Sequence, residues 1–288
     1  MWEIAKSVRD DGELRRSFNE LAKKTFDLDF EDWHQNGFWG NNYIPYSVVM
    51  DGKVVANVSV NRTDMLWNGS KKHLIQLGTV MSEEACRNQG MIRRLMEEIE
   101  QDFGAEAEGI YLFANDSVLD FYPKFGFRKA VEYQYSKIVS GQGEKLAKAV
   151  PMKEDRDWKK LVKAIEGSVP QGRFELTGNP GLIMFYVTKF MQDCVYILPE
   201  QQAYVIAETK GDELVLYNIF APDRVKPEAV AEAFGEGIRK LSLCFVPWED
   251  SGYEKEILCE EDSTFFVKGN LFAEFEREQL RFPELAHA

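Results

Sequence analysis

The sequence predicts an α+β fold, with two mixed sheets flanked by helices, set in tandem, the second a degenerate copy of the first. Three observations lead there. The chain has 288 residues, more than one small core accommodates and ordinary for two domains. Its apolar residues alternate between a period of two and a period of 3.6 along both halves. A run of strands, a helix and a further strand occurs in the first half and again in the second.

Each element has its own signal. "WEIAKSV" reads as a strand. "DDGELRRSFNELAKKTF" reads as a helix, with Leu14, Phe18, Leu21 and Ala22 at helical spacing. "DLDFEDWHQNGFWGNNYIP" is a short helix running into a loop rich in Trp, Phe, Asn and Gly. Asp51-Gly52 and Asn68-Gly69 are hairpin turns, so the three strands around them form an antiparallel meander. Gly78, late in the third strand, marks a bulge. Met91, Ile92, Leu95, Met96, Ile99 and Phe103 then make one apolar stripe on a helix. "GIYLFAN" is a buried strand, "DSVLDFYPKFGF" a short helix ending near Gly126, and "RKAVEYQYSKIV" one more strand. The strand from His73, the helix after Gly90 and the strand from Gly109 form a crossover, which makes the two strands parallel neighbours.

"SGQGEK" at 140–145 reads as a linker between domains at 1–140 and 150–288. "EDRDWKKLVKAIEG" opens the second half as a helix with Trp158, Leu161, Val162 and Ile165 on one side. "DCVYIL", "AYVIAET", "ELVLYNIFAP", "PEAVAEAFGEGIRK" and "KLSLCFVPWE" follow as strand, strand, strand, helix and strand.

Composition narrows the function. Hydrophobic residues are 44% and charged residues 29%, with a net charge of −13. That describes a soluble globular chain and argues against nucleic acid or an anionic membrane as partner. Neither an apolar leader nor a run of about 18 apolar residues is present, so a cytoplasmic location is expected. The sequons "NVS", "NRT", "NGS" and "NDS" then carry no meaning. Four cysteines without a C-x-x-C pair and three histidines predict reduced thiols and no metal site. Nothing decides between a monomer and a homo-oligomer.

"ACRNQGMIRRLMEEIEQ" carries the chemistry. A helix N-terminus offers unpaired N–H groups and partial positive charge. A loop that turns its own N–H groups the same way makes a cradle for phosphate, and a glycine lets the oxygens come close. "RNQG" before "MIRRLM" has this shape between two parallel strands, with Arg87, Arg93 and Arg94 as cations nearby. An ordinary strand-to-helix turn with solvated arginines has the same spelling.

The stretch Arg87-Asn88-Gln89-Gly90-Met91-Ile92 resembles the R-x-x-G-x-G/A loop of the GNAT superfamily of N-acetyltransferases, with Ile92 at the last position in place of Gly or Ala. Asn115, Tyr122 and Gly126-Phe127 fall where that family has its Asn, Tyr and Gly-Phe. The "GMIRRLM" pattern is similar to the enhanced-intracellular-survival branch, whose members carry a second acetyltransferase-like domain. In the second half "FAPDRVKPEAV" places prolines, which donate no N–H, where the cradle would be.

The resemblance implies acetyl-CoA as co-substrate and transfer of its acetyl group to a primary amine, on a small molecule or peptide, by direct attack. It implies that Val80, Met81 and Ser82 hold the pantetheine arm. It assigns the pyrophosphate to residues from Arg87 to Arg93 (Asn88, Gln89, Gly90, Met91 and Ile92 between them). It places Asn115 on the far side of the arm and makes Tyr122 the acid that protonates the leaving thiolate. Asn115 as a helix cap, Tyr122 as a core aromatic and Cys86 as a small buried hydrophobe are the structural alternatives. No base is evident: Leu74 occupies the position of the family's frequent Glu, and a water chain or the carboxylate of Ala288 remains. Trp33, Phe38, Trp39 and Tyr43, with Asp29, Glu31, Asp32 and His34 nearby, suit an ammonium-bearing acceptor. A non-catalytic acyl-CoA sensor on the same fold is the rival reading.

Overall fold

The structure, a computed structural model, describes residues 2–141 and 144–287. In chain order the first half contains β1 (Trp2–Lys6), α1 (Gly12–Phe26), α2 (Glu31–Gln35), β2 (Tyr43–Met50), β3 (Lys53–Trp67), β4 (Ser70–Ser82), α3 (Met91–Phe103), β5 (Gly109–Ala114), β6 (Arg128–Lys129) and β7 (Tyr133–Ile138). The second contains β8 (Lys148–Ala149), α4 (Asp155–Glu166), β9 (Gly172–Thr177), α5 (Pro180–Lys189), β10 (Val195–Leu198), β11 (Ala203–Lys210), β12 (Glu213–Phe220), α6 (Pro227–Phe234), β13 (Lys240–Leu243), β14 (Val246–Pro247), β15 (Glu254–Ile257), β16 (Thr264–Lys268) and α7 (Leu271–Arg277).

Local rules explain the hairpins and helices. Asp51 and Gly52, then Asn68 and Gly69, all adopt positive φ, the mirror-image turn that matches strand twist. Asp11 caps α1 by accepting from the N–H groups of Glu13 and Leu14. Helix α3 buries Met91, Leu95, Met96 and Ile99 against the first sheet. Each such side chain contributes about 1.5–3 kcal/mol on burial. Strands β4 and β5 are parallel, as the crossover demands, and so are β12 and β13 around α6.

Two stretches depart from their sequence reading. "DSVLDFYPKFGF" folds as two 3-10 turns, Asp116–Val118 and Tyr122–Phe125, not as one helix. Pro123 withholds an N–H, and Gly126 at φ +84° ends the second turn. "RKAVEYQYSKIV" splits after Lys129, and its two parts enter different sheets.

That split reflects an exchange between the halves. The first sheet runs β1-β2-β3-β4-β5-β16-β6. Strand β16 comes from the far end of the chain and lies antiparallel to β5, Phe265 opposite Phe113. Strand β7 lies in the other sheet, between β13 and β15. Strand β9 also joins the first sheet, beside the outer end of β3. The expected boundary between 1–140 and 150–288 therefore cuts the chain without separating the sheets. Part of the linker, Gln142 and Gly143, lies outside the described residues.

The exchange follows from burial. Strand β5 is covered on both faces and has a free edge once β7 has left. In "TFFVK" of β16, Phe266 faces the α3 core, while Phe265 and Val267 face a core shared by both sheets. The segment after α7 completes that shared core with Leu280 and Phe282, and Phe282 stacks on Tyr111 at 4.0 Å.

In the second half the parallel pairing of β12 and β13 ends at Leu216 and Leu243. Beyond it, Glu284 N–H donates to the Cys244 carbonyl and Arg281 to that of Leu243. Leu285 packs with Phe220. The chain's own segment 281–285 occupies the place beside the strand ends.

A chain ending at residue 140 is predicted not to fold cooperatively, because β5 loses the partner that covers its edge. A cooperative urea transition of that fragment, followed by circular dichroism, would contradict the exchange.

Candidate active site

Strands β4 and β5 pair only from Leu74–Gly109 to Gln76–Tyr111, then part. A bulge at the same level bends β4. Asn57 pairs with Met81 and Ser59 with Gly78, so Thr79 and Val80 together face Val58. The extra turn is carried by Thr79, at φ +46°, and not by Gly78. A β-branched residue in this region costs of order 1–3 kcal/mol and needs support.

The support is a buried hydrogen-bond chain. Ser47 Oγ donates to Asn57 Oδ1 at 2.8 Å, and Asn57 Nδ2 donates to Ser59 Oγ and to the Thr79 carbonyl, both at 2.9 Å. Tyr43 OH bonds Thr79 Oγ1. Asn57 is the first residue of "NVS", dismissed above as an empty sequon. It is fully buried and pins the bulge.

Beyond the bulge, Glu83 N–H donates to Val55 O at 2.8 Å. Alternation then turns the N–H groups of Ser82 and Val80 away from β3, into the gap. The gap opens into a cavity of about 1110 Å³. Its walls include all of Val80, Met81, Ser82, Arg87, Asn88, Gln89, Gly90, Met91, Ile92, Arg93, Asn115 and Tyr122.

At one end stands the start of α3. Gly90 has φ +79° and Asn88 φ +61°. Among the described residues, the N–H groups from Asn88 to Arg93 find no acceptor. A Cβ on Gly90 would meet nothing within 4 Å, because the position faces open space. Arg93 lies over the Phe125 ring at 5.3 Å. Arg94 points elsewhere, paired with Glu98 and Glu97.

Tyr122 lies deep in the lining, 5% exposed, and its hydroxyl has no hydrogen-bond partner among the described residues. Burial pushes its pKa up to about 12, so the proton stays on at neutral pH. Asn115 does not cap the turn after it. Its Nδ2 donates to Asp262 Oδ2 at 2.8 Å, and Asp116 N–H donates to Asp262 Oδ1 at 2.7 Å. Asp262 comes from the loop before β16, and nothing local in the sequence marks it.

Residues 10–127 match the sequence model of the acetyltransferase (GNAT) family. The chain carries a GNAT domain. With it comes the chemistry of that family, acyl transfer. Similar folds occur in a conserved protein of unknown function from Enterococcus faecalis V583, at 12% identity and a TM-score of 0.61 over 96% of this chain and 74% of that one. Eis1 from Mycobacterium abscessus is similar at 12% identity and 0.56, over 92% and 73%. A GCN5-related N-acetyltransferase from Kribbella flavida gives 15% and 0.55, over 93% and 70%. At these identities the likeness is one of fold. No curated protein sequence matches the chain.

The acceptor segment of the GNAT domain differs in part from its sequence reading. Trp33 and Tyr43 line the cavity, but Phe38 and Trp39 do not. Trp39 is buried behind Trp33, stacked on it at 5.5 Å, and Phe38 packs on Trp158. Asp29, Glu31, Asp32 and His34 stay outside the lining, and Glu31 pairs with Arg15 at 2.9 Å. Leu182 and Phe185 of α5 reach in from the second half instead. That helix is apolar nearly all round, so no amphipathic period announces it. Trp33 Nε1 donates to Gly181 O at 2.7 Å, and a Cβ on Gly181 would come within 2.2 Å of Phe38 O. His73 is bonded to Asp64, outside the lining, and Ala288 lies outside the described residues.

Asn57→Ala should lower stability by about 1–3 kcal/mol, since it leaves buried polar partners unmet, and should weaken acyl-CoA binding as the bulge relaxes. Urea midpoints and calorimetry test both, and an unchanged affinity would detach the bulge from the site. Gly90→Glu should fold, at a strain of about 1–2 kcal/mol, yet lose acetyl-CoA affinity at least a hundredfold. Retained affinity would show that the cradle lies elsewhere.

Proposed function

We propose that the chain transfers an acetyl group from acetyl-CoA to an amine by direct attack in a ternary complex. The observation that supports this best is the shared cavity. It joins a strand gap with inward N–H groups, an N–H cradle at Gly90 and a protonated, unpartnered Tyr122. The pyrophosphate of the co-substrate fits the cradle, where free N–H groups and a positive helix end meet it. Its pantetheine arm lies along β4 and takes the N–H groups of Val80 and Ser82. Those donors also polarise the thioester carbonyl.

The amine nitrogen attacks the thioester carbon, forming C–N as C–S breaks. Tyr122 gives its proton to the leaving thiolate, as a general acid held protonated by burial, and regains one from the nitrogen as the amide forms. Buried Cys86 takes no part, because direct attack needs no protein nucleophile. Among the described residues the second half carries no equivalent gap, since residues 281–285 lie beside β12 and β13. One acetyl-CoA per chain follows.

A sensor that binds acyl-CoA without turnover is favoured by one observation. Among the described residues the lining holds no histidine, and its sole carboxylate there, Asp262, is already engaged. Release of free thiol that depends on an added amine would exclude the sensor. Tyr122→Phe should lower kcat at least tenfold with little change in KM. In the wild type no fall in rate from loss of the Tyr122 proton should appear between pH 7 and 9.5, because its pKa is raised to about 12. An unaltered kcat would remove Tyr122 from the reaction. Two calorimetric sites per chain would overturn the account of the second half.

A further inference from the structure

The two ends of the cavity differ in charge. Arg87 and Arg93 flank Gly90. The other end is walled by Phe26, Leu28, Phe30, Trp33, Leu182 and Phe185, none of them charged. Asp262 is the only carboxylate in the lining among the described residues, and both of its oxygens accept hydrogen bonds, from Asn115 Nδ2 and Asp116 N–H.

Among the described residues an alkylammonium acceptor therefore finds no free carboxylate to replace its water. Nor are the faces of the buried rings free for it. Phe30 stacks on both Tyr43 and Phe185, at 5.6 and 5.4 Å, and Trp33 stacks on Trp39. The faces that would attract a cation already cover one another. Proton balance points the same way. An alkylamine with a pKa near about 10.4 is almost wholly ammonium at neutral pH. It has no lone pair until something takes its proton, and among the described residues the lining offers no imidazole or free carboxylate for that.

We propose that the acceptor is an aromatic amine, bound uncharged, with its ring against the apolar wall that α5 completes. This rests on the acyl-transfer reading above and names the substrate class of the same site. An amine conjugated to a ring is neutral at pH 7 and brings a flat apolar body. Its nitrogen bonds to the acetyl carbon and the C–S bond breaks. The thiolate takes the Tyr122 proton, and the proton shed by the now acidic amide-forming nitrogen restores Tyr122. No separate base is required.

The test compares 4-methylaniline, benzylamine and spermidine as acceptors at saturating acetyl-CoA, by thiol release from pH 6 to 9, with acetyl-CoA binding measured separately. Benzylamine keeps the ring and restores the positive charge, so it separates shape from charge. The expected result is a kcat/KM for 4-methylaniline at pH 7 at least tenfold above the other two and level with pH. Rates for the alkylamines should rise about tenfold per pH unit. Benzylamine or spermidine matching 4-methylaniline at pH 7 overturns the proposal, and so does acetyl-CoA binding without turnover of any of the three. Absence of acetyl-CoA binding overturns the acyl-transfer reading itself. Thr25, exposed at the cavity rim, gives a second test. Thr25→Glu should shift the kcat/KM ratio at least threefold toward spermidine, and an unmoved ratio would show that the apolar end does not receive the acceptor.

Discussion

The site depends on one short interaction, the bond from Asn57 Nδ2 to the Thr79 carbonyl at 2.9 Å. It holds a β-branched residue at positive φ in the middle of a strand. That conformation adds a residue to β4 and bends it away from β5. Without the bend the two parallel strands would go on pairing, and the N–H groups of Val80 and Ser82 would belong to the ladder. A local backbone cost thus converts sheet edge into cavity wall.

The strand exchange gives this opening a rigid frame. Strand β16 covers the free edge of β5, while β7 is built into the other sheet. Asp262, just before β16, holds Asn115 and Asp116 on the far rim of the cavity. Helix α5 supplies part of the apolar end, and Trp33 is tied to it through Gly181. The second half thus serves the first as scaffold and wall. The loss of its own strand gap fits that role, because segment 281–285 binds the two sheets through a shared core.

Charge organises the cavity in a simple way. Cations stand by the helix start, where an anion is favoured twice, by the arginines and by the unpaired N–H groups. The opposite end is aromatic and uncharged, and of the acidic residues that make the chain −13 overall only Asp262, among the described residues, lines the cavity. Net charge therefore says little about the guest. Tyr122 sits within the same lining with its proton retained through burial.

The sequence by itself determined the elements whose signals are local. Asp-Gly and Asn-Gly turned the meander, a 3.6 period marked α3, and Gly90 marked the left-handed turn that opens that helix. Each rests on backbone preferences of a few adjacent residues, which any window of the chain displays. Tertiary structure alone decided where β7 and β16 went, since a free strand edge takes whichever apolar strand covers it best. It also decided that Thr79 and not Gly78 carries the bulge, because Asn57 and Tyr43 hold it from other strands. It moved Trp39 behind Trp33 and brought Leu182, Phe185 and Asp262 to the site from the other half of the chain. Contacts at that separation leave no trace in local periodicity. They arise only when two apolar faces find each other and exclude water between them.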